Sequence, residues 1–409
     1  MQPIIQRTTW FVIIDPRRYQ PLSCPAENFI PMHSDSEPPD IAVLASFSGE
    51  GGVERMLLNL VNAFAARGYL VDLLLIRADS KHLDEIHPQV RRLDLGRRHT
   101  GTSLLPLTAY LQQRKPARLL VAKDRAGRLA VKARRLAGVE TRLVVRLGTN
   151  LSAALSNRNA FQRWLRLRPI RRLYPSIDRI IAVSNGVAED TWKLSGVARE
   201  KISVVRNPVI TPRLMQLAAE PVAHPWLQQK RCPLIIAAGR LTRQKDFVTL
   251  IRAFALLTSS REARLIILGE GEQRQLLLQL VEQLQLGGKV DLPGFAPNPY
   301  TYMAAADLFV LSSRWEGSPN VLTEAMALDR PVVATDCPSG PNELLDGGRI
   351  APLVPMGNPE ALAAAMARVL QRPPPPGAMR AAVQEYELER STTRYLELLG
   401  LPPWKRHAL

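Results

Sequence analysis

The chain has 409 residues, 46% of them hydrophobic and 22% charged, with a formal net charge of +17. That length and balance suit two or three folded domains with ample cores and exclude a disordered or fibrous chain. The charge calls for an anionic partner: nucleic acid, an anionic membrane surface or a phosphorylated substrate.

No apolar run approaches the roughly 18 residues of a spanning helix, so no transmembrane segment is expected. Cys24, Cys232 and Cys337 lie far apart, which argues against a disulfide scaffold or a zinc site and for a reducing, cytoplasmic setting. Residues 1–40 differ in character from the rest of the chain. The apolar stretch 10–14 is too short for a signal-peptide core and runs into Pro16, Arg17 and Arg18. A poorly ordered extension is expected, with Met32 as an alternative start, because the globular pattern begins at Ile41.

Residues 41–47 read as a buried strand leading into Ser48, Gly49, Glu50, Gly51 and Gly52. Val53, Met56, Leu57, Leu60, Val61 and Phe64 then carry a helical pattern. Glycines after a strand let backbone amides approach an anion at a helix N-terminus, although a plain turn would look the same. Glu54 stands where a dinucleotide fingerprint needs its third glycine, which disfavours a nicotinamide cofactor. Further strands are expected at 70–76, 119–122, 142–147, 179–183 and 202–205, with helices at 127–136 and 187–194. Such alternation implies a doubly wound parallel sheet. Lys123 and Asp124 come after a strand end and could line a cleft, although surface residues are the favoured reading.

The stretch bounded by Asn157 and Arg172 holds six arginines and no acid, interleaved with Phe161, Trp164, Leu165 and Leu167. A solvated basic helix, limited by Pro169, is one reading. Docking on an anionic bilayer surface is the other, favoured by the interleaved apolar residues. Nucleic acid would use the same charge, but no zinc-finger or RNA-recognition motif is present.

A second alternating series starts at 234–238, a buried strand succeeded by Gly239, Arg240, Leu241, Gln244 and Lys245. Two cations at a strand end suit an anionic ligand, although a chance basic loop in so basic a chain would look the same. Strands at 265–268 and 290–292 come next, the latter turning at Gly294 and Phe295. Strand 308–311 then delivers the chain to Glu316. Pro319 suits a first helical turn. Val321, Leu322, Ala325, Met326 and Leu328 carry helical spacing, placing Glu324 about a turn inside. Residues 331–334 read as a strand, 358–370 as a helix and 378–399 as a last helical pattern; the tail 402–409 is expected to fray.

Glu316 and Glu324, eight apart across this strand–loop–helix, resemble the E-x7-E signature of retaining, GT-B-fold glycosyltransferases of family 4. The resemblance spans about 41–399 and is denser in the second half, where Arg240 and Lys245 also match. It implies an α/β, GT-B architecture: two doubly wound Rossmann-like domains facing a central cleft. The acceptor-side domain would occupy 41–217 and the nucleotide-sugar-binding domain 228–372, with a terminal helix, 377–400, crossing back onto the first. Glu316 would hold hydroxyls of the transferred sugar and Glu324 the ribose. Arg240 and Lys245 would clamp the pyrophosphate, with phosphate contacts from Gly51, Gly52 and the amides of Asn320, Val321 and Leu322. Gly294 and Phe295 would lie by the base. The donor would be a nucleotide-diphosphate sugar, UDP-linked, acting as substrate and not cofactor. The acceptor would be a glycan or a polyprenyl or other lipid-linked molecule, as in lipopolysaccharide, exopolysaccharide or capsule synthesis.

Two departures stand out. The family's first-domain histidine is missing from Arg146, Leu147, Gly148, Thr149 and Asn150, and none of the six histidines is close in sequence. No D-x-D occurs, so metal independence is expected. A catalytically inactive GT-B scaffold at a membrane surface, a nucleotide-sugar epimerase and a paired-carboxylate hydrolase are the alternatives.

Overall fold

The computed structural model describes residues 37–49, 51–96, 99–156, 158–221 and 224–405. Most of the expected N-terminal extension, Met32 included, lies outside them. At its end, Asp40 is anchored: its carboxylate accepts from the Leu70 amide at 2.8 Å and from the Lys405 ammonium at 2.8 Å.

Two parallel sheets organise residues 38–409 as one compact unit. The first contains β1 (Ile41–Phe47), β2 (Val71–Ala78), β3 (Val90–Asp94), β4 (Arg118–Ala122), β5 (Arg142–Leu147), β6 (Arg179–Ala182) and β7 (Ile202–Val204). Its order is β3-β2-β1-β4-β5-β6-β7. The second contains β8 (Leu234–Ala238), β9 (Arg264–Leu268), β10 (Val290–Gly294), β11 (Leu308–Leu311), β12 (Val332–Thr335) and β13 (Leu353–Val354), in the order β10-β9-β8-β11-β12-β13. Helices cover both faces, so central strands such as β1 and β8 are continuous apolar runs. Two strands escape the sequence reading. β3 is an edge with two arginines, one of which, Arg91, reaches the buried Asp72 at 2.7 Å. β13 is two residues long.

Helix α1 (Gly52–Ala66) buries Met56, Leu57, Leu60, Val61 and Phe64 against the first sheet. Helix α2 (Asp124–Ala137) begins earlier than its pattern suggests, directly after β4. Helix α3 (Ala160–Leu173) corrects a second expectation, because it runs on through Pro169. Asn159 caps it by accepting the Gln162 amide at 2.8 Å, and Ile170 and Leu173 beyond the proline are buried in the core. That burial offsets the one hydrogen bond proline cannot make. Helix α4 (Asn185–Ser195) is capped by Ser184, whose hydroxyl accepts the Val187 amide at 3.2 Å. In the second domain, α5 (Pro299–Ala305) and α6 (Asn320–Ala327) flank β11.

The C-terminal segment is not one helix. Ala378–Ala381 ends early, Glu387 is extended, and α7 (Leu388–Leu399) comes after it. One straight helix cannot serve both cores it must join. Met379, Val383 and Tyr386 are buried in the second domain, whereas Tyr395, Leu396 and Leu399 are buried in the first. The break is pinned by the interdomain strand: the Leu388 amide donates to the Ile210 carbonyl at 2.9 Å, and the Val209 and Ile210 amides donate to the Tyr386 carbonyl at 3.0 Å. Arg118 and Arg142 then satisfy the last carbonyls of α7, at Leu399 (2.8 Å) and Leu398 (3.1 Å). Residues 402–405 are likewise tied down. Tyr69 donates to the Pro402 carbonyl at 2.5 Å, and Arg67 sits over the Trp404 ring at 5.3 Å.

The carboxyl ends of β8 and β9 meet so closely that side chains are excluded. A Cβ on Gly269, whose φ is 134°, would lie 2.0 Å from the Gly239 carbonyl oxygen. Gly269→Ala is therefore expected to destabilise the protein by on the order of 3 kcal/mol in urea unfolding. Gly287→Ala, with open space around it, should change stability by less than about 0.5 kcal/mol.

Candidate active site

An open parallel sheet binds ligands outside the carboxyl ends of its strands, where the strand order reverses. In the second sheet that reversal lies between β8 and β11. β8 ends in Gly239 and Arg240; β11 leads to Ser312, Ser313 and Glu316. The two loops are stapled together. The Gln244 side chain donates to the Trp315 carbonyl at 2.8 Å, the Arg314 amide to the Gln244 carbonyl at 2.8 Å, and the Ser312 hydroxyl to the Lys245 carbonyl at 2.7 Å. Arg314 also pairs with the buried Asp246 at 3.0 Å. Held this way, the Lys245 ammonium meets Glu316 Oε1 at 2.6 Å, and the Ser313 hydroxyl donates to the same oxygen at 2.7 Å. Arg240 is exposed beside them, with no ion-pair partner among the described residues. Lys245 and Glu316, far apart in the chain, are thus neighbours, with Arg240 on the same loop as Lys245.

Glu324 lies on α6 and is 7% exposed. The Tyr300 hydroxyl of α5 reaches its Oε1 at 3.5 Å. Burial pushes the Glu324 carboxyl up to about 7, against the pull of Tyr300, Arg55 and Lys245. Pro319 stands just outside α6, one residue earlier than a first-turn proline. The expected set of phosphate-facing amides narrows for the same reason: the Leu322 amide donates to the Pro319 carbonyl at 3.0 Å, and its side chain is fully buried in the core. Asn320 and Val321 remain at the helix start. Gly294, with φ 94°, and Phe295, 49% exposed, sit at the end of β10. Phe295 is therefore a surface aromatic, not a core one.

The first domain closes over this site through polar contacts that only the fold pairs. Arg146, fully buried, donates to the Asn207 side-chain oxygen at 2.8 Å. Asn207 donates to the Asn320 side-chain oxygen at 2.7 Å, and Asn320 donates to the Gly52 carbonyl at 3.0 Å. The glycine turn thus faces the N-terminus of α6, with Gly51 in open space. Nearby, the Asn185 and Gly186 amides donate to the Glu343 carboxylate at 2.8 and 2.7 Å, and Arg206 pairs with it at 2.9 Å. In the segment without the histidine, the backbone at Gly148 approaches the second domain closely. A Cβ on Gly148 would lie 2.6 Å from Arg146 Nη1, and one on Gly317 would lie 2.0 Å from the Gly148 carbonyl oxygen. The backbone at Gly148 itself forms the contact between the domains.

The comparisons agree on both halves. Residues 232–372 match the model described as Glycosyl transferases group 1, and residues 50–213 match Glycosyltransferase Family 4. A relative from Campylobacter jejuni is 32% identical over 77% of this chain and 85% of its own length. It is named N-acetylgalactosamine-N,N'-diacetylbacillosaminyl-diphospho-undecaprenol 4-alpha-N-acetylgalactosaminyltransferase. The chain belongs to glycosyltransferase family 4. A lipopolysaccharide core biosynthesis glycosyltransferase from Rhizobium meliloti is 28% identical to this glycosyltransferase over 87% of the present chain and 98% of its own. In fold, the enzyme is similar to an Anabaena protein solved with UDP and glucose. The TM-score is 0.70 at 20% identity, covering 88% of this chain and 99% of that one. Sucrose-phosphate synthase from Thermosynechococcus elongatus gives 0.74 at 21% identity over 88% and 97%. The fold is GT-B.

Sequence reasoning did not find Asn207, Tyr300 or Arg55 in the glycosyltransferase's cleft. Asn207 before Pro208 reads as a turn, and nothing local reveals that its amide bridges the two domains. The cleft also carries a pH signature. Between about 4.5 and about 7 the native enzyme keeps a proton on Glu324 that the unfolded chain has released, so this group lowers stability as pH rises through that window. Glu324→Gln is expected to exceed wild type by on the order of 3 kcal/mol at pH 8 in urea unfolding, the gap narrowing toward pH 4.5. Matching curves at pH 8 would contradict a buried, proton-holding carboxyl.

Proposed function

We propose that this enzyme transfers a sugar from a nucleoside diphosphate, UDP foremost, to a lipid-linked or cell-surface glycan acceptor, with retention and without a metal. One observation carries the donor class: the Lys245–Glu316 pair, 2.6 Å apart, with Arg240 beside it at the second sheet's reversal point. A sugar seated there would exchange hydroxyls for the lysine on Glu316, while its diphosphate lies against two cations. The bond from the anomeric carbon to the diphosphate oxygen breaks with its electron pair going to the diphosphate, the acceptor hydroxyl oxygen bonds that carbon on the same face, and the hydroxyl proton passes to the departing diphosphate. Charge leaving with the diphosphate is compensated before it develops. A hydrolase with the same carboxylates would have no diphosphate to hold. Glu324, poised near neutrality in a buried pocket with Tyr300, suits the ribose hydroxyls.

For the acceptor, the relatives' names point to glycans built on diphospho-undecaprenol and to lipopolysaccharide core. Such acceptors are consistent with a peripheral position on the cytoplasmic face of a membrane. No helix among the described residues is long and apolar enough to cross one. Helix α3 suits the docking role: Phe161, Trp164, Leu165 and Arg168 share a face at helical spacing, and the three apolar residues are exposed. Phe161 stacks on Trp164 at 6.1 Å, and Arg168 covers the Trp164 ring at 5.2 Å.

Thermal shift with a panel of UDP-, GDP-, ADP- and dTDP-sugars in EDTA tests the donor. At least one should raise the melting temperature of wild type and raise that of Glu324→Ala less. No shift with any donor would sink the transferase site as drawn. A shift that needs manganese would remove metal independence, and one that survives Glu324→Ala would remove only the ribose assignment. Separately, wild type should sediment with phosphatidylglycerol vesicles and not with phosphatidylcholine ones, and the Phe161→Ala/Trp164→Ala variant should lose about tenfold in binding. Equal binding to both vesicles would count against α3 as an anionic-surface dock.

A further inference from the structure

The first sheet has its own reversal point, between β1 and β4. β1 delivers the glycine turn; β4 delivers Lys123. This lysine has φ 73° and ψ 148°, a region that residues with a Cβ rarely occupy. Such a conformation persists only where the surroundings impose it, and here they do. The Lys123 amide donates to the Arg146 carbonyl at 3.1 Å, and its carbonyl accepts the Gly127 amide at 3.1 Å. The next residue, Asp124, is buried, which corrects its reading as a surface residue. It accepts from the Tyr174 hydroxyl at 2.8 Å, from Nε and Nη2 of Arg128 at 3.0 Å each, and from Arg166 of α3 at 2.7 Å.

The Lys123 side chain, unlike that of Asp124, is exposed. Its ammonium makes no hydrogen bond or ion pair with a described residue. Around it lie Glu54, Arg146 and, from the other domain, Arg240. Glu54 accepts the Ser48 amide at 3.0 Å, while its other carboxylate oxygen is buried without a partner among the described residues. Desolvation holds the Lys123 ammonium below the ordinary lysine range; Glu54 opposes this, and the two arginines add to it. Lys123 and Arg240, both exposed, thus act on one another as like charges from the two domains, an arrangement that a multiply charged anion between them would relieve.

We infer that Lys123 is the first domain's diphosphate-binding residue, meeting the group from the side opposite Arg240 and Lys245. This rests on the donor reading above, and the group could belong to the nucleotide or to a lipid carrier. Isothermal titration with UDP, GDP, UMP and farnesyl diphosphate separates the cases for wild type, Lys123→Ala, Lys123→Arg and Lys123→Gly. UDP or GDP should bind Lys123→Ala about tenfold more weakly than wild type, with UMP changed little and Lys123→Arg restoring most of the loss. Weakened farnesyl diphosphate binding alone would assign the residue to the lipid carrier's diphosphate. Lys123→Gly, which removes the strain, should melt no lower than wild type while losing the same affinity. Diphosphate binding unchanged in Lys123→Ala overturns the assignment and leaves the donor site standing. Wild type that binds neither diphosphate class overturns both.

Discussion

Every strand pairing in both sheets is parallel, and this constraint decides where the chemistry lies. Parallel strands put all their carboxyl-end loops on one edge, and a reversal of strand order opens a crevice there. Each domain has one such reversal: Gly51, Gly52 and Lys123 surround the first, and Arg240, Lys245 and Glu316 the second. Apposing the two edges creates the site. The Arg146–Asn207–Asn320–Gly52 chain of hydrogen bonds holds them together, while the α7 crossover ties the end of the chain to the first core.

Charge within the cleft is uneven. Lys123, Arg146, Arg240 and Lys245 face Glu54 and Glu316, while burial pushes Glu324 toward its neutral form. Polar contacts between the domains run through Asn207, Asn320, Glu343 and Arg206. The same electrostatics reach the outer surface, because Arg166 of α3 pairs with Asp124, the residue next to Lys123. The basic helix is thus tied to the start of α2, directly after Lys123.

How much of this was legible depended on whether the signal was local. The central strands read correctly because burial on both faces leaves unbroken apolar runs, and Glu316 and Glu324 stood out because their spacing straddles one loop and one helix turn. β3 was hidden by its edge arginines. The break before α7 was hidden because Ala378 to Leu399 keeps helical spacing while serving two different cores. Phe295 and Leu322 read alike as apolar residues near the site, yet one is exposed and the other is core.

By itself, the sequence determined the two-sheet architecture, the cationic loop after β8 and the two glutamates, since each is encoded within a few consecutive residues. Only the tertiary structure decided that Lys245 meets Glu316, and that Glu324 is buried enough for its carboxyl to be pushed up to about 7. Those outcomes depend on distances between segments far apart in the chain. Desolvation and ion pairing fall off over a few ångströms, and no local pattern carries that information.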